Sequence, residues 1–197
     1  MMRRTILLIA TMALTLLVAS GVALAINKIG GPGPNTLRGT KGADNLLGKG
    51  GNDQLYGRGG RDNLLGGSGK DVVFGGPGGD HNLVGGQGND GIIAGQGSDN
   101  ALGGGGNDFL VDGALRESSN DTFFGGPGND VLIVSHVPAF KDIVVCGRGF
   151  DRVAADPKDT VAPDCEKVSI IRTAAQDAKF FFSIPQSFFE GLPPAFF

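Results

Sequence analysis

Residues Gly85–Ile93 read GGQGNDGII and residues Gly125–Ile133 read GGPGNDVLI, two nine-residue phrases that differ at three positions. The same phrase recurs along the chain in both directions. Units of nine begin at Gly30, Gly39, Gly48, Gly57, Gly66 and Gly75, then after one extra residue at Gly85, Ala94 and Gly103. Four extra residues, Asp112 to Leu115, precede units at Arg116 and Gly125, which makes eleven units. Position six reads Asn35, Asp44, Asp53, Asp62, Asp71, Asp80, Asp90, Asp99, Asp108, Asp121 and Asp130. Position eight reads Leu37, Leu46, Leu55, Leu64, Val73, Asn82, Ile92, Ala101, Leu110, Phe123 and Leu132, and position four is Gly in every unit but one, which has Ser119. A fixed short period of this kind marks a stacked-repeat architecture.

Composition agrees with that reading. Of the 36 Gly in 197 residues, 32 lie between Gly30 and Gly128, a density that a helical core does not tolerate. Collagen is excluded, because Gly does not recur every third residue and the chain has only ten Pro. Seventeen of the 20 acidic residues are Asp, the short carboxylate favoured in turns and calcium loops.

Nine residues divide into a turn of six and a strand of three, so two units close one coil and every second unit stacks. The expected fold is all-β, a parallel β-roll with position eight pointing inward. Stacking builds two columns of carboxylates: Asp44, Asp62, Asp80, Asp99 and Asp121 on one edge, and Asp53, Asp71, Asp90, Asp108 and Asp130 on the other. Neighbours in a column would lie about 4.8 Å apart and repel by roughly 3 kcal/mol at an effective dielectric near 20. A divalent cation between them reverses the sign. The recurring ligands are carboxylate and carbonyl oxygens without repeated Cys or His, which selects calcium over zinc and over the more strictly octahedral magnesium. The columns predict roughly six to eight calcium ions, with folding and binding as one equilibrium. Asn35 lacks the carboxylate, so a weak or empty first site is expected. The extra residue beside Asp80 and the four after Val111 are expected to disturb the sites at Asp80 and between Asp99 and Asp121. Starting the sixth unit one residue later would put His81 at the ligand position and Leu83 in the core.

The quoted residues closely resemble the RTX, or haemolysin-type, calcium-binding repeat, whose pattern is G-G-x-G-x-D, x, a large apolar residue, x. The resemblance implies a parallel β-roll with calcium held between stacked turns. Position six of every unit except that of Asn35 then supplies a metal ligand.

Both ends depart from the repeat. Met1–Arg4 is basic, Ile6–Val22 is almost wholly apolar and Ala23-Leu24-Ala25 has small-x-small spacing, so residues 1–25 read as a cleaved export signal. Losing Arg3 and Arg4 would take the net charge from −3 to −5, which argues against nucleic acid as a partner. The roll is expected over residues 26–136, followed by diluted repeats over 137–168 that place Asp142 and Asp151 at position six. Cys146 and Cys165 lie 19 residues apart, about one coil, and are expected to form a disulfide clamp. The segment Cys146–Val168 also resembles the ending of exported bacterial RTX-repeat proteins. Residues 169–197 form a Phe-rich tail, read as a cap over the open end of the roll or as an aromatic docking segment.

The function expected from the sequence is that of a non-catalytic, exported calcium-binding protein with a structural, adhesive or interaction role. A cell-surface or polysaccharide partner is compatible with it. Two other readings stand beside it. One is a parallel β-helix enzyme acting on acidic polysaccharide through Arg148 or Arg152, and the other is an accessory chain that docks a partner through its tail. The Gly86, Gly88, Gly91 match to G-x-G-x-x-G lacks the strand and helix that a dinucleotide site requires.

Overall fold

A nine-residue unit cannot bury anything alone, so the units gain stability only by stacking; half of the strands run to six residues rather than the three expected, because pairing continues into the first positions of the next unit. The computed structural model describes residues 24–113, 119–135 and 140–172. The export-signal residues up to 23 and the Phe-rich tail from 173 lie outside the described residues, as does His136. Sixteen short strands follow one another: β1 (Asn27–Ile29), β2 (Thr36–Arg38), β3 (Asn45–Gly50), β4 (Gln54–Tyr56), β5 (Asn63–Ser68), β6 (Val72–Pro77), β7 (Asn82–Gln87) and β8 (Gly91–Gln96). They continue as β9 (Asn100–Gly105), β10 (Phe109–Val111), β11 (Thr122–Pro127), β12 (Val131–Ile133), β13 (Ile143–Arg148), β14 (Arg152–Ala155), β15 (Thr160–Val161) and β16 (Lys167–Ile170).

Odd-numbered strands form one eight-stranded sheet and even-numbered strands form another, each in chain order. All pairings are parallel. The chain therefore alternates between the two sheets at every turn, which is the parallel β-roll expected from the period. No helix occurs among the described residues.

Position eight faces inward, as the pattern requires. Leu46, Leu64, Leu83, Ala101, Phe123 and Val144 of one sheet meet Leu55, Val73, Ile92, Leu110, Leu132 and Val153 of the other in a single core. Ala101 is a weak core residue by itself. Its neighbours in the stack are Leu83 on one side and Phe123 on the other, and the large ring compensates the small methyl. Such alternation of volume fills a narrow core without voids.

The extra residue of the sixth unit corrects the sequence reading. Asp80 keeps its place in the carboxylate column while Leu83, not Asn82, enters the core, and His81 and Asn82 are both exposed. Register explains it: Asn82 pairs with Asn63 and Leu83 with Leu64, so the surplus is absorbed between the turn and the strand. The longer insertion is also placed differently. Asp112 follows β10 directly and continues the ladder, with its N–H donating to the Ile133 carbonyl and its own carbonyl accepting from Gly95. Asp112 thus occupies position one of the next unit and Gly113, with positive φ, position two. Neither insertion interrupts the stacking.

Turn geometry sets the glycine pattern. Position two has positive φ from Lys49 onward through Gly104, and position four has it at Gly51, Gly60, Gly69 and later units. Lys49 and Arg58 sit at position two with φ of 81° each, the two non-glycine residues with positive φ among those described. The turns are further tied by Asn at position five: the Asn107 N–H donates to Asn89 Oδ1, and the Asn129 N–H to Asn107 Oδ1, both at 2.8 Å.

Candidate metal centre

Each strand ends a turn at position six, so the stacking brings the Asp side chains into register at two edges of the roll. All ten carboxylates named from the sequence are buried, none more than 2% exposed. They form two hydrogen-bonded columns. Along one, the N–H of Asp44 donates to Oδ1 of Asp62, Asp62 to Asp80, Asp80 to Asp99, Asp99 to Asp121 and Asp121 to Asp142. Along the other, Asp53 donates to Asp71, Asp71 to Asp90, Asp90 to Asp108, Asp108 to Asp130 and Asp130 to Asp151. These N···O distances are 2.7–2.9 Å. At Asp80 and between Asp99 and Asp121, where disturbance is expected from the sequence, the column keeps the same N–H-to-Oδ1 hydrogen bonds as elsewhere. Each insertion leaves the Asp-to-Asp register intact.

Both columns end on carboxylates outside the regular repeat. The Asp142 N–H donates to Asp159 Oδ1 and the Asp151 N–H to Glu166 Oε2. Beside these ends, Cys146 and Cys165 form the expected disulfide, with Cα atoms 5.2 Å apart. Asp164 accepts from the Gly147 N–H at 3.0 Å and holds the adjoining turn.

One oxygen of these carboxylates is thereby committed, and in most of them the other is not; Asp44 is the exception, its Oδ2 accepting from the Thr40 N–H and hydroxyl. Oδ2 of Asp53, Asp62, Asp71, Asp80, Asp90, Asp108, Asp121, Asp130 and Asp151 is buried and accepts no hydrogen bond. Beside it lies a second acceptor. At the position-one glycines Gly39, Gly48, Gly57, Gly66, Gly75, Gly85, Gly103 and Gly125, the spot a Cβ would fill is flanked by Oδ2 of the Asp in the same unit. On its other side lies the carbonyl oxygen of the position-one residue one coil on. A Cβ added at any of these eight glycines would strike both oxygens. A buried carboxylate oxygen without a donor is costly when dry, and a cation shared with the adjoining carbonyl is a partner that would satisfy it.

The energetics of the carboxylates say the same. Burial pushes Asp71 up to about 6, and Asp80, Asp90 and Asp130 up to about 7, against the pull of the backbone N–H each accepts. Asp108, deeper in the stack, is pushed by burial to about 8, with Asp130 and Asp90 adding repulsion. Asp121 is raised by burial and then by the charges of Asp112, Asp142 and Asp99. Asp53, Asp62 and Asp151, nearer the ends, are also raised, burial again being the main cause. Near neutral pH burial thus favours a proton or a cation on the middle members of the columns, Asp80, Asp90, Asp108 and Asp130. A hard cation with irregular oxygen coordination fits the donor set, and calcium is the one that tolerates mixed carboxylate and carbonyl ligands.

Asn35 behaves differently. Its Oδ1 accepts from the Gly31 N–H and its Nδ2 donates to the Gly33 carbonyl, so the first turn satisfies itself. Sequence reasoning missed Asp112 as a site residue, because it was assigned to the insertion. The signal was present: Asp112 stands nine residues after Gly103. The position-five Asn residues were also overlooked.

Fold and site together define a repeat roll whose coils are built to take hard cations between them. The family of RTX calcium-binding nonapeptide repeats matches the chain four times, at residues 29–64, 47–81, 82–110 and 117–133. The chain belongs to this family. No curated protein matches the chain.

Proposed function

We propose that the chain is an exported, non-catalytic calcium-binding scaffold whose roll orders as its ions bind. The observation that carries this reading is the pair of Asp columns, in which one oxygen of Asp53, Asp62, Asp71, Asp80, Asp90, Asp108 and Asp130 is buried without a donor beside a turn carbonyl. Calcium supplies positive charge there when bound. The chain's own residues do the rest: Asp side chains and turn carbonyls offer oxygens, position-one glycines keep the slot open, and the inward apolar residues define its spacing. Roughly six to eight ions fit the number of stacked turns, held with affinities on the order of 0.1 to 1 mM, as in other extracellular modules.

Export is supported by the basic and apolar start of the chain with its small-x-small spacing at Ala23-Leu24-Ala25. The Cys146–Cys165 bond adds support, since disulfides persist in oxidising compartments. Outside a cell, millimolar calcium would fill such sites and make the roll a rigid spacer. Adhesion or surface structure, with a cell-surface or polysaccharide partner, is the role that suits a rigid spacer. Calcium titration of the mature chain, followed by circular dichroism with magnesium as control, tests the reading. Strand signal should rise with calcium near neutral pH and not with magnesium. A fully folded chain in excess chelator at pH 8 would refute it.

A further inference from the structure

The repeat places glycine at position one, but the column of Gly39, Gly57 and Gly75 continues with Ala94, Asp112 and Val134. Asp112 therefore brings a carboxylate to the spot that glycine elsewhere leaves open beside the Asp of its own unit. That Asp is Asp121, and Asp142 lies one coil on. Asp112, Asp121 and Asp142 are all buried, and one carboxylate oxygen from each lies within 4.8 Å of the others.

Burial of three carboxylates at one point needs a compensating charge. A second observation points into the cluster. Asp121 is 1% exposed, its Oδ1 takes the Asp99 N–H at 2.7 Å, and its Oδ2 accepts no hydrogen bond. We propose that Asp112 joins Asp121 and Asp142 of the Asp column in a three-carboxylate calcium site, which differs from the glycine-lined repeat sites by the carboxylate that stands in place of glycine. Oxygens at 2.3–2.6 Å from a calcium ion stand about 4.6 to 5.2 Å apart across it, so the observed spacing suits one such ion without backbone movement. Magnesium, with its shorter bonds and strict octahedron, suits it less well.

Its place in the fold gives it a job. Asp112 follows β10, Asp121 precedes β11 and Asp142 precedes β13, so one ion would join the last regular coils to the coil that departs from the repeat. The added carboxylate makes it the tightest site of the roll, since affinity rises with ligand charge. It would fill first in a titration.

Crystals of the full chain grown with terbium, a calcium substitute with strong anomalous scattering, test this directly. The expected map has a peak among Asp112, Asp121 and Asp142 in addition to peaks in the glycine-lined turns. In Asp112→Gly, which restores the ordinary repeat residue, the first peak should vanish and the others remain. Asp112→Asn, which keeps the shape, should weaken this one site by about tenfold or more in calorimetric titration with calcium. Peaks in the glycine-lined turns with none among the three carboxylates would overturn the inference and leave the repeat sites standing. An unchanged peak in Asp112→Gly would also overturn it. A map without any peak would remove both readings.

Discussion

Withdrawing calcium turns the Asp columns into a pH sensor, and the direction of the response follows from the raised carboxylates. In the unfolded chain an Asp titrates near 3.9, whereas in the ion-free roll Asp71 titrates near 6, Asp80, Asp90 and Asp130 near 7, and Asp108 near 8. Between these limits the folded state binds more protons than the unfolded one. Its stability is then intact below pH 4 and falls as pH rises through 6 to 8. Asp90, moved from 3.8 to about 7, corresponds to roughly 4 kcal/mol at high pH, or roughly 2 after discounting by half for water reaching the turns. Five carboxylates at about that discounted value withdraw on the order of 10 kcal/mol, comparable to the whole stability of an ordinary domain. Urea melts of the chelated chain at pH 5, 6, 7 and 8, read by circular dichroism, should show the midpoint dropping steadily and the fold lost by pH 8. With 5 mM calcium the trend should reverse, because metal then competes with protons for the same oxygens and binds better as pH rises. A chelated chain whose midpoint is flat or climbs from pH 5 to 8 would refute the argument.

Other outcomes follow from packing and backbone geometry. Phe123→Ala should cost about 3 to 5 kcal/mol in calcium-saturated urea melts, because the ring fills the space left by Ala101 and no neighbour can replace it. Ala101→Leu should overpack the same layer and cost about 1 to 3 kcal/mol by the same assay. Replacing Cys146 and Cys165 together by Ser should lower stability by about 3 kcal/mol, the loop-closure value for a bridge of this span. Lys49→Gly and Arg58→Gly should each leave the thermal midpoint unchanged or raise it, since relief of the left-handed backbone, about 1 to 2 kcal/mol, exceeds the entropic cost of Gly.

The parts of this fold that were legible in the sequence are those that repeat. A period of nine gives the alternation of turn and strand, position eight gives the core and position six gives the columns, because each depends on residue spacing alone. Leu83 and Asp112 were misplaced for the complementary reason. Sequence spacing cannot say where in a unit a surplus residue is expelled, whereas the pairing of Asn63 with Asn82 and the ladder bonds of Asp112 can. The hydrogen bond from each Asp N–H to the next Asp was also invisible in the pattern. The pattern implied carboxylates repelling across one strand spacing, and the backbone donor between them tempers that repulsion before any ion arrives.

Those hydrogen bonds all point one way. The N–H in one coil rests on a side chain supplied by the coil after it, from Ile26 onto Asp44 at one end to Asp151 onto Glu166 at the other. Removing coils from the beginning of the roll frees acceptors, which water or metal readily serves. Removing them from the end leaves N–H donors facing water and takes away Asp159, Glu166 and the Cys146–Cys165 bond, which finish the columns. The two ends of the roll are thus not equivalent: a coil added at the start needs only backbone N–H groups to dock on side chains already in place, whereas a coil added at the finish has to bring acceptors of its own.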